Sequence, residues 1–308
     1  MSAQIDSVVT VVVPATSANL GPGFDALGLA LGLYDEVSVR VVAQPRLSVA
    51  VEGEGAAQLP RDGSHLVVRA LLAAFDRFGA VPPGIAVRCV NAIPQGRGLG
   101  SSAAAIVAGV LAGAKLAQGE LAQGEKPVEQ SEVLALASEI EGHPDNVAAC
   151  LLGGFTIAWT DEGSAHAVRL DPAPGLEAVV FLPSDGLATS TARGLLPPTV
   201  PHRDAAHAAG RAALLVEALT RRPDLLMAAT EDRLHQPYRA PAMVASAALM
   251  ERLRADGVPA VLSGAGPSVI ALRLGGTLSA VEGLAGSDWA VHRLGLDLGG
   301  ARASSTPG

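Results

Sequence analysis

The sequence predicts an α+β protein of two domains. Segments typical of strands, such as residues 8–14 and 85–90, are interleaved with segments of helical spacing, such as residues 65–78. The regular strand–helix–strand rhythm of a parallel α/β sheet is missing, which favours α+β layers. A length of 308 residues suits one large or two medium domains. We therefore predict domains at 1–160 and 161–308, because a boundary near residue 160 gives halves of ordinary domain size.

The first half of the chain alternates apolar strands with amphipathic helices. Residues 8–14 are mostly β-branched and end at a proline, which is typical of a buried strand. Residues 36–43 and 47–52 alternate apolar and polar side chains around a Gln-Pro pair, so we predict that they form a hairpin. The other predicted elements of this half are helices at 65–78, 101–116 and 129–141 and strands at 85–90 and 153–159.

The second half is interpreted by the same patterns. A strand at 176–182 follows the one at 153–159 after a turn rich in glycine and aspartate. The tandem Ala-Gln-Gly-Glu copies at 117–120 and 122–125 predict a surface loop, and the small polar residues at 301–308 predict a frayed tail. The other predicted elements are helices at 204–219, 223–229 and 242–255 and strands at 259–262 and 268–274.

The charge balance argues against a nucleic-acid binder. The sequence has 22 Lys and Arg against 30 Asp and Glu, a formal net charge of −8. Proteins that bind nucleic acids need a basic surface to neutralise phosphates. Aromatic residues make up only 3% of the chain, which leaves few platforms on which bases could stack. No nucleic-acid partner is expected.

Cysteine content and hydropathy indicate a cytoplasmic protein. Cys89 and Cys150 make neither a disulfide framework nor a zinc site. The apolar run at 8–13 is short and lacks the basic flank of a signal peptide. The longest apolar stretch, at 101–116, contains Lys115 and is too short to span a bilayer. We therefore expect a reducing cytoplasm and no membrane partner.

The segment at 94–104 predicts a phosphate-binding loop. Its sequence, Pro-Gln-Gly-Arg-Gly-Leu-Gly-Ser-Ser-Ala-Ala, follows a predicted strand and opens a predicted helix. Glycines let a backbone approach a ligand closely, and the first N–H groups of a helix lack internal partners. Together with the positive end of the helix dipole, they form a site for phosphate oxygens. Ser101 and Ser102 place hydroxyl groups at the helix start, where one could hold Mg²⁺.

Three alternatives compete with this interpretation of 94–104. A P-loop requires Gly-Lys-Ser/Thr at its end, and the segment has no lysine. A dinucleotide fingerprint is matched nominally by Gly98, Gly100 and Ala103. The acidic residue that this fingerprint needs would fall in the Ala-Gln-Gly-Glu repeat, which is not strand-like. The third alternative, a tight turn with ordinary serine capping, stays open.

Three further clusters carry polar side chains on or near glycine turns. Asn19 and Asp25, within residues 14–25, suit an α-ammonium group but also fit a simple turn. The cluster at 139–146, Glu-Ile-Glu-Gly-His-Pro-Asp-Asn, could bind Mg²⁺ and orient a hydroxyl, or could be a helix end followed by a capped helix. The cluster at 263–268, Ser-Gly-Ala-Gly-Pro-Ser, lies between two predicted strands and is also compatible with a plain β-turn.

Taken in order, these clusters resemble the homoserine kinase family within the GHMP small-molecule kinase superfamily. The resemblance covers about residues 8 to 300, and Ser-Ala-Asn-Leu-Gly-Pro-Gly-Phe-Asp, Glu-Gly-His-Pro-Asp-Asn and Ser-Gly-Ala-Gly-Pro-Ser carry it. The stretches at 190–193 and 232–239 also fit. The resemblance implies an N-terminal domain like domain 2 of ribosomal protein S5 and a ferredoxin-like C-terminal domain, with the active-site cleft between them. It also implies transfer of phosphate from ATP to L-homoserine, a step toward threonine, and a homodimer.

The resemblance assigns the nucleotide site residue by residue. Ser102 and Glu141 are expected to hold Mg²⁺, with Glu139 as the alternative to Glu141, and Arg97 or its neighbours would neutralise phosphate charge. The segment that would wrap the ATP phosphates consists of Pro94, Gln95, Gly96, Arg97, Gly98, Leu99, Gly100, Ser101, Ser102, Ala103 and Ala104.

The resemblance also assigns the acceptor site. The arginines Arg193 and Arg239 would bind the substrate carboxylate, and Asp25 would bind its ammonium group. Two further residues implied at this site are Asn19 and His143.

Catalysis is expected to depend on positioning. Asp145 and Asn146 would lie beside the reacting hydroxyl, with Asp145 as a weak base or an orienting group. Mevalonate-type relatives pair a lysine near the first motif with an aspartate, and this chain has no lysine before Lys115. Phosphoryl transfer passes through a loose transition state, so charge neutralisation can dominate over proton abstraction. His65 departs from the asparagine that relatives usually have near the adenine pocket.

Overall fold

The computed structural model describes residues 6–79, 81–118, 129–275, 281 and 283–306. Its strands, in chain order, are β1 (Val8–Asn19), β2 (Gly23–Val41), β3 (Leu47–Gly53), β4 (Ile85–Asn91), β5 (Phe155–Asp161), β6 (Ser164–Leu170), β7 (Leu176–Pro183), β8 (Ala260–Leu262), β9 (Val269–Leu274), β10 (Trp289–Leu294) and β11 (Arg302–Thr306).

Most helices match a segment of helical spacing in the sequence. They are α1 (Leu66–Phe78), α2 (Ser101–Gln118), α3 (Gln130–Glu141), α4 (Asp145–Leu152), α5 (Thr189–Gly194), α6 (His202–Thr220), α7 (Leu226–Ala229), α8 (Gln236–Arg239) and α9 (Val244–Ala255). Short 3-10 turns at Pro223–Leu225 and Ala240–Ala242 precede α7 and α9. No helix within the described ranges is long and apolar enough to cross a membrane.

The strands form two sheets. The first has the order β11-β1-β2-β4-β3, with β5 pairing β2 and β6, and the second has the order β10-β7-β9-β8. Inward-facing valines of β1 and β2 pack against α2 and α4, because alternate residues of a strand point to one face, and α1 packs on α2. A separate cluster around Phe181 and Leu249 fills the space between the second sheet and α9.

The predicted hairpin between 36–43 and 47–52 is wrong. β3 pairs in parallel with β4, and β4 pairs antiparallel with β2, so β4 lies between the two predicted partners. The connecting chain passes around the start of β4, where Val42 donates to the carbonyl of Gly84 and Ile85 donates to that of Arg46. A Cβ atom at Gly84 would overlap the carbonyl oxygen of Gln44, so glycine is what allows this close crossing.

Two other strands, β6 and β11, were not predicted from the sequence. The predicted frayed tail is wrong over Arg302–Thr306, which forms β11 beside β1 with Val8 opposite Thr306. β6 lies where only a turn was predicted and pairs with β5 alone. Both strands have partly exposed, largely polar faces, so they lack the apolar alternation that marks a strand in sequence.

The domain division at residue 160 stays a prediction. β6 and β11 follow that residue in the chain but pair within the first sheet, whereas β7 to β10 form the second sheet. The second copy of the Ala-Gln-Gly-Glu repeat, and the last two residues of the first, lie outside the described residues.

Candidate active site

A cavity of about 330 Å³ brings all four sequence clusters together. It lies where the glycine loop before α2 meets the turn between β8 and β9, with α4 and the two arginines on another side. The predicted site residues that line it are Asn19, Gln95, Gly96, Gly98, Leu99, Gly100, Ser101, Ser102, Ala104, Glu141, His143, Asp145, Asn146, Arg193 and Arg239.

The glycine loop packs directly on the turn at 263–268. Gly98 has a φ of 75°, and a Cβ atom there would overlap the carbonyl oxygen of Ser263. The Ser263 hydroxyl donates to the Gly98 carbonyl at 2.6 Å, which holds the loop against the turn. The loop then enters α2, whose 18 residues direct the positive end of the helix dipole toward the cavity at Ser101. This geometry is that of an anion site at a helix N-terminus.

Ser102 and Glu141 form a pair of oxygen donors in the cavity. The Ser102 hydroxyl donates to Oε1 of Glu141 at 2.6 Å. Burial raises the pKa of Glu141, an effect that the Ser102 hydrogen bond partly opposes. A hydroxyl and a carboxylate are hard oxygen ligands, which suit Mg²⁺; this ion keeps several waters and commonly takes only one or two protein carboxylates. Glu139 is exposed and lies outside the cavity lining, so the geometry favours Glu141 over it.

A hydrogen-bonded network surrounds Asp145 at the start of α4. Oδ1 of Asp145 lies 3.0 Å from Nδ1 of His143 and accepts the backbone N–H of Asn146 at 2.7 Å. Thr16 donates to Oδ1 of Asn146 at 2.8 Å, which fixes that amide from β1. The hydrogen bond to Asp145 raises the pKa of His143. Asp145 is buried, so the network holds its carboxylate in one orientation.

Arg193 and Asp25 form a bidentate ion pair at the cavity. Nη2 and Nη1 of Arg193 donate to Oδ1 and Oδ2 of Asp25 at 2.6 and 3.0 Å. Both side chains are about one-third exposed, so solvent screens the pair only in part. Asn19 supports Asp25 by accepting its backbone N–H at 2.9 Å. Asn19 and Asp25 both have positive φ angles, 67° and 56°, a strain that concentrates at functional sites.

Arg239 is the buried cation of the site. Its guanidinium donates to the carbonyls of Ala192 and Gly264 at 3.3 and 3.2 Å and lies 3.0 Å from Nδ1 of His235. Burial lowers the pKa of Arg239 from its ordinary value, but an arginine pKa starts so high that the group stays charged. The guanidinium carbons of Arg193 and Arg239 both lie 5.6 Å from the centre of the Phe24 ring, which spaces the two cations.

Four predicted site residues lie outside the cavity lining: Asp25, Pro94, Arg97 and Ala103. Asp25 reaches the site through its ion pair with Arg193. The Arg97 guanidinium donates to the carbonyls of Pro183 and Ser184, so it ties the glycine loop to the end of β7. Its role in neutralising phosphate charge stays a prediction.

The cavity also has an apolar arm with two buried polar groups. Asp35 and His65 are 7% and 3% exposed. Both ring nitrogens of His65 are buried and have no hydrogen-bond partner within the part of the chain that the structure describes, and burial lowers the pKa of its imidazole. Asp35 was not identified as a site residue from the sequence. The pattern that could have identified it is a carboxylate at a position where the alternation of the strand places inward-facing valines. The apolar residues of this arm are Val13, Val37, Leu59, Leu66 and Val67.

Comparison with known proteins identifies the family. The GHMP kinases N terminal domain matches residues 65–154. A homoserine kinase of Streptomyces coelicolor is 61% identical over 96% of this chain and 94% of that protein, and one of Streptomyces avermitilis is 60% identical over 96% and 95%. The chain belongs to the homoserine kinase family. The resemblance stated from the sequence is therefore confirmed.

Solved structures confirm the fold of this homoserine kinase family member. A crystal structure of homoserine kinase from Cytophaga hutchinsonii matches with a TM-score of 0.84 and 28% identity, covering 99% of each chain. A putative homoserine kinase from Listeria monocytogenes matches with a TM-score of 0.75 and 29% identity over 96% of this chain and 99% of that one. An L. major mevalonate kinase, at 15% identity and a TM-score of 0.66, shares the fold alone. The predicted α+β GHMP-kinase architecture is confirmed.

Proposed function

We propose that this protein transfers the γ-phosphoryl group of ATP to the side-chain hydroxyl of L-homoserine, giving ADP and O-phospho-L-homoserine. One observation carries the proposal. A single cavity joins an anion site at the start of α2 to a cluster of two arginines and an aspartate. The first suits a nucleotide polyphosphate and the second suits an amino-acid zwitterion.

The nucleotide binds with its phosphates against the glycine loop and the first turn of α2. Ser102 and Glu141 are the residues that hold Mg²⁺, which neutralises phosphate charge when it is bound. The adenine base occupies the apolar arm, where the unpartnered nitrogens of His65 can meet its polar edge. Burying an aromatic base against valine and leucine side chains supplies affinity without further charge.

The acceptor binds by replacing the ion pair between Arg193 and Asp25 with contacts to its own carboxylate and ammonium groups. The substrate carboxylate takes Arg193 together with Arg239, and the substrate ammonium takes Asp25. Because both charges of the zwitterion are matched, neither member of the pair is left unpaired. Asn19 and His143 complete the contacts to the amino-acid end.

Phosphoryl transfer then follows from positioning. The substrate hydroxyl lies beside Asp145 and Asn146 and faces the γ-phosphorus. The new oxygen–phosphorus bond forms as the bond from the γ-phosphorus to the β,γ-bridging oxygen breaks, which leaves ADP. Asp145 is held by His143 and the backbone of Asn146, so it orients the hydroxyl and can accept its proton late in the reaction. The N-terminus of α2 stabilises the charge on the transferring group.

The reaction is tested by measuring ADP release from Mg·ATP with L-homoserine, D-homoserine, L-serine, L-threonine and mevalonate as acceptors. Strong stimulation by L-homoserine alone is the expected result. Stimulation by mevalonate or another alcohol would retain a kinase and overturn the substrate. If no acceptor stimulated release although the protein bound ATP, the chain would be a nucleotide or amino-acid sensor instead.

Two other sequence-based expectations belong with this proposal. A homodimer stays a prediction, testable by light scattering of the purified protein. A cytoplasmic location also stays a prediction, and it fits two cysteines, Cys89 and Cys150, that are buried and unpaired.

A further inference from the structure

Asp35 is a buried carboxylate on an otherwise apolar strand face. It lies in β2 opposite Val13 of β1, and the next inward residue of β2 is Val37. All three side chains line the active-site cavity, and Asp35 is only 7% exposed. No cation among the described residues pairs with this carboxylate, and a buried unpaired carboxylate carries a desolvation penalty, so its contacts need an explanation.

Asp35 makes its hydrogen bonds to the chain that leads into the glycine loop. Its Oδ1 accepts the backbone N–H groups of Ala92 at 2.7 Å and of Ile93 at 2.9 Å. These residues directly follow the end of β4 and precede the loop at 94–104. Oδ2 has no hydrogen-bond partner among the described residues. The carboxylate is therefore bound where the strand ends and the phosphate-binding segment begins.

We propose that Asp35 is a positioning residue for the nucleotide, because its carboxylate fixes the turn at Ala92 and Ile93 from which the glycine loop starts. The inference rests on the proposed function, since the ligand of the loop is taken to be ATP. With the turn fixed, the loop reaches Ser263 and α2 starts with its N–H groups toward the cavity. Without Asp35, the backbone N–H groups of Ala92 and of the buried Ile93 would lose their acceptor, and the loop would sample other conformations.

The surroundings of Asp35 make its hydrogen bonds to the turn at Ala92 and Ile93 sensitive to pH. Burial raises the pKa of Asp35 to about 6, against the effect of the two N–H donors and with a smaller contribution from Glu54. The other titratable groups near it are the thiols of Cys89 and Cys150 and the imidazole of His65. An ionised carboxylate accepts stronger hydrogen bonds than a protonated one. The turn is therefore held more firmly above pH 6 than below it.

The test compares two substitutions at Asp35 with a matched control. Asp35→Ala removes the acceptor, whereas Asp35→Asn keeps an acceptor oxygen without the charge. Asp297 provides the control, because it is 4% exposed and its Oδ1 accepts two loop N–H groups, from Gly299 at 3.1 Å and Gly300 at 2.5 Å, outside the cavity. Asp297 also accepts a hydrogen bond from Tyr34, so Asp297→Ala perturbs the same strand without touching the glycine loop.

The readout is the dissociation constant of the non-hydrolysable analogue Mg·AMP-PNP, measured by calorimetry at pH 7.5 on protein whose folding is checked by thermal unfolding. We expect Asp35→Ala to weaken binding about tenfold or more, Asp35→Asn to weaken it about two- to fivefold, and Asp297→Ala to leave it near the wild-type value. Equal affinity of wild type and Asp35→Ala would overturn the inference, and so would equal losses in Asp35→Ala and Asp297→Ala.

A pH series separates the inference from the proposed function. Wild-type affinity should fall relative to that of Asp35→Asn as the pH is lowered from 7.5 to 5.5, because only wild type loses a charged acceptor. Protonation of the nucleotide itself affects both proteins and cancels in the ratio. A constant ratio would overturn the inference even if Asp35→Ala failed to fold. Failure of wild type to bind Mg·AMP-PNP at all would instead overturn the proposed function.

Discussion

Arg193 and Asp25, 168 residues apart in the chain, are joined by two hydrogen bonds of 2.6 and 3.0 Å. The family resemblance implies that they bind opposite charges of one ligand, with Arg193 on a carboxylate and Asp25 on an ammonium group. In the free protein each satisfies the other. In the proposed binding mode, a ligand that carries only one of the two charges would leave one partner unpaired, so we expect the pair to select for zwitterions.

Replacing Arg193 tests this selection. Arg193→Ala should raise the KM for L-homoserine by roughly 30-fold or more, about 2 kcal/mol, because a charged contact to the substrate carboxylate is lost. The KM for ATP should change by less than about threefold, because the loop at 94–104 is untouched. Steady-state kinetics with each substrate varied in turn measures both values.

Arg193→Lys is the matched control, since it keeps the charge but loses the planar fork that grips a carboxylate with two hydrogen bonds. It should fall between wild type and Arg193→Ala. Equal increases in both KM values would remove Arg193 from the substrate carboxylate.

The hydrogen bond from Ser102 to Glu141 gives a prediction about the metal. Ser102→Ala should lower kcat by about tenfold at limiting Mg²⁺, because one oxygen ligand is lost, and raising the Mg²⁺ concentration should restore part of it. Ser102→Thr keeps the hydroxyl group and should respond to Mg²⁺ nearly as wild type does. A loss in Ser102→Ala that no Mg²⁺ concentration rescues would count against Ser102 as a ligand.

The sequence predicted those elements whose own pattern determines them, and most of the candidate residues that it placed on glycine turns line one cavity. The helix at 65–78 and the loop at 94–104 are examples, because helical period and glycine content are local properties. The partner of β3 could not be predicted, since alternation fits a neighbour on either side and the crossing depends on Gly84. The pairing of Arg193 with Asp25 was equally hidden, because only the folded chain brings them together.

His65 carries a prediction that links stability to nucleotide binding. Both of its ring nitrogens are buried and find no hydrogen-bond partner among the described residues, and an unsatisfied buried polar group costs about 1–3 kcal/mol. His65→Leu, of similar size, should therefore raise the free energy of unfolding of the free protein. It should also raise the KM for ATP about tenfold or more, because the base loses its polar contact.

Urea unfolding and steady-state kinetics check the two effects of His65→Leu. His65→Asn serves as the control, since it keeps donor and acceptor atoms and should retain more ATP affinity than His65→Leu. A more stable variant with an unchanged KM for ATP would show that His65 does not contact the nucleotide.

The raised pKa of Asp35 yields a prediction about stability and pH. Its pKa is about 6 in the folded protein against an ordinary value of 3.8, so the folded state binds the proton more tightly. The stabilisation from this proton is complete below pH 3.8 and is lost as the pH rises through 6, at most about 3 kcal/mol in total. Asp35→Asn has no proton to lose and should escape this penalty.

The free energy of unfolding of Asp35→Asn, minus that of wild type, should therefore increase as the pH is raised from 5 to 7.5. Urea unfolding measures both values. At pH 7.5 the variant should be the more stable protein and yet bind Mg·AMP-PNP less tightly. Higher stability together with weaker nucleotide binding is expected if the Asp35 charge serves ligand binding. The buried charge destabilises the free protein, but it strengthens the hydrogen bonds that position the loop. A difference in unfolding free energy that did not change with pH would show that Asp35 is ionised equally in the folded and unfolded chains.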